Sequence, residues 1–145
     1  MTRDEAFDLV NTTLATWVAD PENDAVWSGV YEGRIGIRVA QQVRNYTTIW
    51  FDVGDRTVGA EAFLLPKPQG DLAEIYRYSL ARNRSSWPAY IALDRQGDLF
   101  AMARTDTATL TDTAVGTVVG AIYEVVELSF ARLARIGFGK REKSL

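Results

Sequence analysis

The chain has 145 residues, 47% hydrophobic and 24% charged, with a formal net charge of −3, the size and balance of one globular domain rather than a disordered segment. It holds no histidine and no cysteine, which excludes Ser-His-Asp and Cys-His catalysis, Cys/His zinc sites, disulfides and CxxC redox chemistry. The acidic balance speaks against a dedicated nucleic-acid binder, and no run of about 18 apolar residues suits a membrane span. No apolar run follows Met1-Thr2-Arg3-Asp4-Glu5, so no signal peptide is expected and the cytoplasm is the expected compartment.

A first helix is predicted over residues 3–19. Thr2-Arg3-Asp4-Glu5 is a capping-box pattern, and Phe7, Val10, Leu14, Trp17 and Val18 follow at the spacing of one helix face. Asp20-Pro21 ends it, because proline pushes the preceding residue out of the helical region.

From about residue 26 to 65 the period becomes that of strands. Ile35, Ile37 and Val39 alternate with Arg34, Gly36 and Arg38, and residues 46–53 and 56–65 flank Gly54-Asp55, which suits a two-residue hairpin turn. That turn would pair Val53 with Arg56, Phe51 with Val58, Ile49 with Ala60 and Thr47 with Ala62 on a core face. Trp50, Tyr46 and Phe63 then share the opposite face.

Pro66 and Pro68 lead into a second helix at about 71–82. Asp71 and Glu74 mark its cap, Leu72, Ile75, Tyr76 and Leu80 its apolar stripe, and Asn83 a left-handed stop. A second hairpin turns at Asp94-Arg95-Gln96-Gly97, with Ile91, Leu93, Leu99 and Ala101 on one face and Tyr90, Phe100 and Met102 on the other. The last helix is predicted over about 111–136, capped by Thr111, stapled by Leu110 to Val115, and stopped at Gly137. Its buried stripe reads Val115, Val118, Val119, Ile122, Val126, Phe130 and Leu133, with Val119, Ile122, Val126 and Phe130 expected against Ile49 and Phe51. The order is α-β-β-β-α-β-β-α in one domain spanning 1–145: an α+β fold with helices packed on one face of an antiparallel sheet and a frayed tail at 139–145.

Tyr76-Arg77-Tyr78-Ser79-Leu80-Ala81-Arg82-Asn83, Leu93-Asp94-Arg95-Gln96-Gly97-Asp98-Leu99-Phe100, the block Thr48–Asp55 and the ending Ala134-Arg135-Ile136-Gly137-Phe138 together resemble the YbjN-domain family. That family is described as bacterial sensory transduction regulators with a type III secretion chaperone-like fold. Ser79, where such sequences tend to have leucine, and the slim pair Ala101-Met102 depart from it. The resemblance implies a homodimeric, non-enzymatic protein-binding module, chaperone-like or regulatory, and supplies no catalytic residues.

No residue is put forward as catalytic or metal-ligating, and no cofactor is expected. Asp94 and Asp98 bracket a glycine but lack the further oxygens of a calcium loop, so turn chemistry accounts for them. Glu124 and Glu127 are expected on the solvated arc of the last helix. Gly116 and Gly120 each weaken a helix by roughly 1 kcal/mol, so close packing is expected there, against the sheet or against a second subunit. Arg77, Arg82 and Arg84 beside Tyr78 and Trp87 form a basic helix face, either simply solvated or able to stack on a nucleic acid or grip an acidic peptide. The candidate interaction surface is Tyr46, Trp50, Phe63, Tyr78 and Arg82. The expected partners are a second copy of the chain and a protein or peptide, with neither nucleic acid nor membrane. The alternative function is a small-ligand-sensing regulatory domain with an apolar pocket beneath the sheet.

Overall fold

The capping box starts the first helix as its spacing requires. The Thr2 hydroxyl accepts from the Glu5 amide at 3.1 Å, and the Glu5 carboxylate accepts from the Thr2 amide at 3.0 Å. The computed structural model describes residues 1–139, so the tail expected to fray lies, from residue 140 on, outside the described residues. The elements are α1 (Arg3–Ala19), β1 (Ala25–Tyr31), β2 (Arg34–Ala40), β3 (Tyr46–Val53), β4 (Thr57–Leu65), α2 (Leu72–Asn83), β5 (Tyr90–Leu93), β6 (Leu99–Asp106) and α3 (Asp112–Ala134). A π-helical turn, Arg135–Gly139, follows α3.

The six strands form one antiparallel sheet in the order β1-β2-β3-β4-β6-β5. α1 lies over β1, α3 over β4 and β6, and α2 against β5, all on one face. Ile35, Ile37, Ile49, Phe51, Ala62, Leu64, Leu99 and Ala101 meet Val10, Leu14, Ile75, Val115, Ile122 and Leu133 there as the core. The expected α+β class stands. α3 with its terminal turn is long and apolar enough, by length and composition, to cross a membrane. Here it serves as the central core helix, with Val115, Val118, Ile122, Val126 and Leu133 buried.

The alternation shows three strands before α2, and the structure has four. β1 is an edge strand whose pattern is broken by a bulge between Ala25 and Trp27 and by Gly29. It turns into β2 through Glu32 and Gly33, both at positive φ (51° and 78°), which suits a primed two-residue turn.

The β3–β4 register is two residues away from the expected one: Val53 pairs with Val58, Phe51 with Ala60 and Ile49 with Ala62. Gly54 does not adopt positive φ, so the primed turn at Gly54-Asp55 does not form. The connection instead spans Gly54 to Thr57, with the Gly54 amide donating to Thr57 O at 2.9 Å. Thr107 ties it down, its hydroxyl donating to Gly54 O and its amide to Arg56 O. A two-residue shift preserves the side-chain period, so every residue keeps its expected face.

Smaller corrections fall on the helices. Leu80 is 70% exposed and the buried positions of α2 are Ile75 and Ser79, whose hydroxyl donates to Ile75 O. Asn83 ends α2 with no left-handed turn; its side-chain amide instead clamps the Ile91 backbone by accepting from N and donating to O. Leu93 is exposed at the end of β5. On α3, Phe130 is only half-buried, while Val125 and Ser129 take the inward positions.

Candidate interaction face

Among the described residues the sheet face opposite the helices is left open, and its residues follow from the register. Gly29 pairs with Gly36, Gly36 with Trp50, Trp50 with Glu61, Glu61 with Met102, and Met102 with Tyr90, one row across all six strands. The two glycines form a floor. A Cβ at Gly36 would stand 2.7 Å from the Trp50 ring and 3.0 Å from Trp27, and one at Gly29 2.8 Å from Trp27. Both indoles therefore lie down on bare backbone, edge to face at 6.2 Å.

Arginines close over them. The Arg34 guanidinium sits 5.6 Å from the centre of the Trp50 ring, and that of Arg38 5.5 Å from Trp27. Arg34 donates from Nε and Nη2 to Asp52 at 2.8 and 2.9 Å, a bidentate fork, and from Nη2 to Glu61 at 2.6 Å. Its pKa is raised above the ordinary arginine value, chiefly by the Asp52 bond and further by Glu61, against the opposing effect of burial.

Toward the other end of the face, Phe63 and Phe100 meet edge to face at 5.7 Å. They border a concavity of about 350 Å³ that also takes in Tyr46, Trp50, Glu61 and Arg44. Arg44 donates to the carbonyls of Phe63 (2.7 Å) and Leu64 (3.1 Å), where the β4–β6 register slips, and stacks on Phe130. Burial pushes its pKa down. Glu127 is not merely solvated: its carboxylate accepts from Gln41 Nε2 and the Gln42 amide, pinning the β2–β3 loop to α3.

The expected surface residues divide between two sides of the molecule. Tyr46 (55% exposed), Phe63 (46%) and the half-buried Trp50 share the open face. Tyr78 and Arg82 belong to the helix layer, where Tyr78 lies beneath Arg132, with its ring centre 5.3 Å away. Trp27, Arg34 and Arg38 join the open face although sequence reasoning did not select them. Trp27 sits in the unrecognised strand, while the alternation of Arg34 and Arg38 with Ile35 and Ile37 was the available signal. Gly116 meets the Trp17 ring rather than the sheet, and a Cβ at Gly120 would meet nothing within 4 Å. Asp94 accepts from the Gln96 and Asp98 amides and so serves the turn, whereas Asp98 accepts from the Lys67 amide and ties the hairpin to the segment after β4.

No family model matches the chain. Among curated proteins it is similar to an uncharacterized protein of Mycobacterium leprae, 31% identical over 77% of this chain and 62% of that protein. It is also similar to one of Mycobacterium tuberculosis, 33% identical over 59% of this chain and 47% of that protein. The chain thus spans between about half and under two thirds of the length of these relatives. Among solved structures it is similar to a chain of the ExsC–ExsE complex, with a TM-score of 0.60 at 15% identity over 86% of this chain and 92% of the other. It is likewise similar to a chain of the heterodimeric ExoU–SpcU complex from the type III secretion system of Pseudomonas aeruginosa, with a TM-score of 0.52 at 18% identity over 89% and 98%. At these identities the likeness is one of fold: the chain has the α+β fold of type III secretion chaperones.

Proposed function

We propose that this chain is a non-enzymatic, cytoplasmic protein-binding module of the YbjN, secretion-chaperone-like kind, acting as a homodimer and binding a polypeptide through the open face of its sheet. The observation that carries the reading is composition at one surface. Trp27, Tyr46, Trp50, Phe63 and Phe100 stand among Arg34 and Arg38, with Arg44 at the rim, on a face that no described helix covers. Aromatic residues and arginine are the types enriched at the centres of protein interfaces. The two indoles rest on the glycine floor, with Arg34 held over Trp50 by its carboxylate fork, so these two rings have little side-chain entropy left to lose on binding. The structural neighbours are themselves seen in complexes with other proteins, which supports the same use here.

The test uses Phe63→Asp and Tyr46→Asp, two exposed positions that do not pack on the glycine floor. Light scattering at tens of micromolar should show a dimeric wild type. Partners recovered by cross-linking from the native cytoplasm should be lost from both variants while their melting curves stay near wild type. A monomeric wild type removes the homodimer from the proposal, and partners retained by both variants remove the open face.

A further inference from the structure

Three strand glycines lie on the open face, and the third differs from the other two. Gly29 and Gly36 are covered by the indoles of Trp27 and Trp50, whereas a Cβ at Gly59 would meet nothing within 4 Å. Gly59 sits in the middle of the sheet, paired with Asp52 of β3 on one side and Arg104 of β6 on the other. A glycine inside a strand weakens it, and it marks a bulge, a tight bend at a barrel corner, or a close approach by a ligand or another backbone. The register runs unbroken through Gly59 to both neighbours, since the shift in β4 falls between Phe63 and Leu65, and its φ is not positive. The sheet is open, so no barrel corner exists here. Close approach remains.

The hollow above Gly59 measures about 470 Å³ and is bordered by Asp52, Thr57, Glu61, Met102 and Arg104. Asp52 and Glu61 both accept from Arg34, so their charge is answered within the chain. Arg104 is exposed and, among the described residues, forms no ion pair and stacks on no ring. Each indole on this face lies against a glycine with an arginine over it: Trp50 on Gly36 beneath Arg34, and Trp27 on Gly29 beneath Arg38. Gly59 and Arg104 repeat that floor and that cation, side by side across one strand pair.

We propose that Gly59 is the seat for an aromatic side chain of the bound polypeptide, and that this residue has a carboxylate beside it. The ring lies on the bare Gly59 backbone against Met102, and the carboxylate meets Arg104. Flat backbone with a sulfur and a guanidinium at its border selects a planar ring, and the unpaired cation selects the acidic neighbour. This seat rests on the polypeptide-binding reading of the open face and adds the chemistry of what that face recognises.

NMR titration of the isotope-labelled protein tests it with N-acetyl-L-tryptophan, which has ring and carboxylate. N-acetyl-L-tryptophanamide keeps only the ring, and N-acetyl-L-alanine only the carboxylate. Saturable shifts of the Gly59, Met102 and Arg104 amides are expected with the first probe. The amide should bind roughly two- to fivefold more weakly, the usual scale of an exposed ion pair, and the alanine derivative should not bind. Gly59→Leu, whose Cβ would meet nothing of its own chain, should abolish the shifts while melting no lower than wild type. Arg104→Gln should bring N-acetyl-L-tryptophan down to the affinity of its amide. The partners cross-linked from the native cytoplasm should be lost from Gly59→Leu as from Phe63→Asp. No saturable shift at Gly59 with about 20 mM N-acetyl-L-tryptophan overturns the seat, as does a lower melt of Gly59→Leu. Binding indifferent to Arg104→Gln overturns the choice of an acidic neighbour. Partners retained by Gly59→Leu but lost from Phe63→Asp overturn the seat and leave the open face standing, whereas partners retained by both remove the open face as well.

Discussion

Gly36 lies directly beneath Trp50, so close that a Cβ there would stand 2.7 Å from the indole. A glycine inside a strand is ordinarily a weakness, since it packs nothing and loses the most entropy on folding. Here the ring from the next strand fills the space that a side chain would occupy, and Trp27 fills it from the other side. The pair is thus a built feature of the open face.

Gly36→Ala should lift both indoles off the sheet and destabilise the fold by about 1–3 kcal/mol, the usual cost of forcing a methyl into a filled site. Denaturant unfolding measures the loss, and tryptophan emission should shift to the red as the rings gain water. An unchanged midpoint together with unchanged emission would mean that the rings do not rest on Gly36.

On α3 two large positions of the expected stripe should differ in cost. Ile122 is fully buried, so Ile122→Ala should lose about 2–5 kcal/mol through transfer and cavity terms. Phe130 is half-exposed beneath Arg44, so Phe130→Ala should fall clearly short of the 3–5 kcal/mol of a fully buried phenylalanine. A loss of about 3 kcal/mol or more for Phe130→Ala in chemical denaturation would contradict that placement.

This contrast shows which parts of the structure were legible in the sequence. The helix starts were readable because each cap is a local event: Thr2 with Glu5, Asp71 with the Glu74 amide, Thr111 with the Ala114 amide. The faces of β3 and β4 were readable because a buried face enforces the two-residue period, which survives even a two-residue slip of register. The slip itself was not, because it depends on Thr107, some fifty residues away in sequence, bonding to the Gly54 carbonyl. β1 was hidden because an edge strand with little burial carries little alternation. Leu80 misled for a related reason: α2 packs on the sheet at Ile75 and Ser79, and composition alone does not say that a serine faces inward. Tyr46, Trp50 and Phe63 share a sheet face because the two-residue period puts them there, whatever that face binds. Tyr78 and Arg82, named with them as candidates, belong to the second helix and so to the other side of the sheet.

The capping box of α1 predicts a pH dependence. The Glu5 pKa lies below its ordinary carboxylate value, chiefly because the Thr2 backbone amide donates to the ionised form. A carboxyl group with a depressed folded pKa contributes stability above its unfolded pKa and loses it as pH falls through the folded one. Wild type should therefore be more stable than Glu5→Gln near neutral pH, and the difference should vanish in acid once Glu5 is protonated. Urea melts of both proteins across a pH series provide the comparison. A difference that stays constant into strong acid would assign the stabilisation to the shape of the side chain rather than its charge.

Gly120 presents the opposite case to Gly36. It sits in the middle of a 23-residue helix, and a Cβ added there would meet nothing within 4 Å. Neither the sheet nor α1 requires a glycine at this position, whereas Gly116 one turn earlier does face the Trp17 ring at 3.5 Å, an ordinary contact distance. Gly120→Ala should therefore stabilise the isolated chain by about 0.5–1 kcal/mol, by restricting the unfolded backbone and by better helix propensity. Thermal melts at low protein concentration, where any dimer is dissociated, should show that gain. If the same variant melts lower than wild type at high concentration, the glycine is kept for close approach of a second subunit, since only an interface populated at high concentration can reverse the sign. A loss of stability at low concentration as well would mean that the α3 backbone at Gly120 is already in contact with its own chain, against the geometry described.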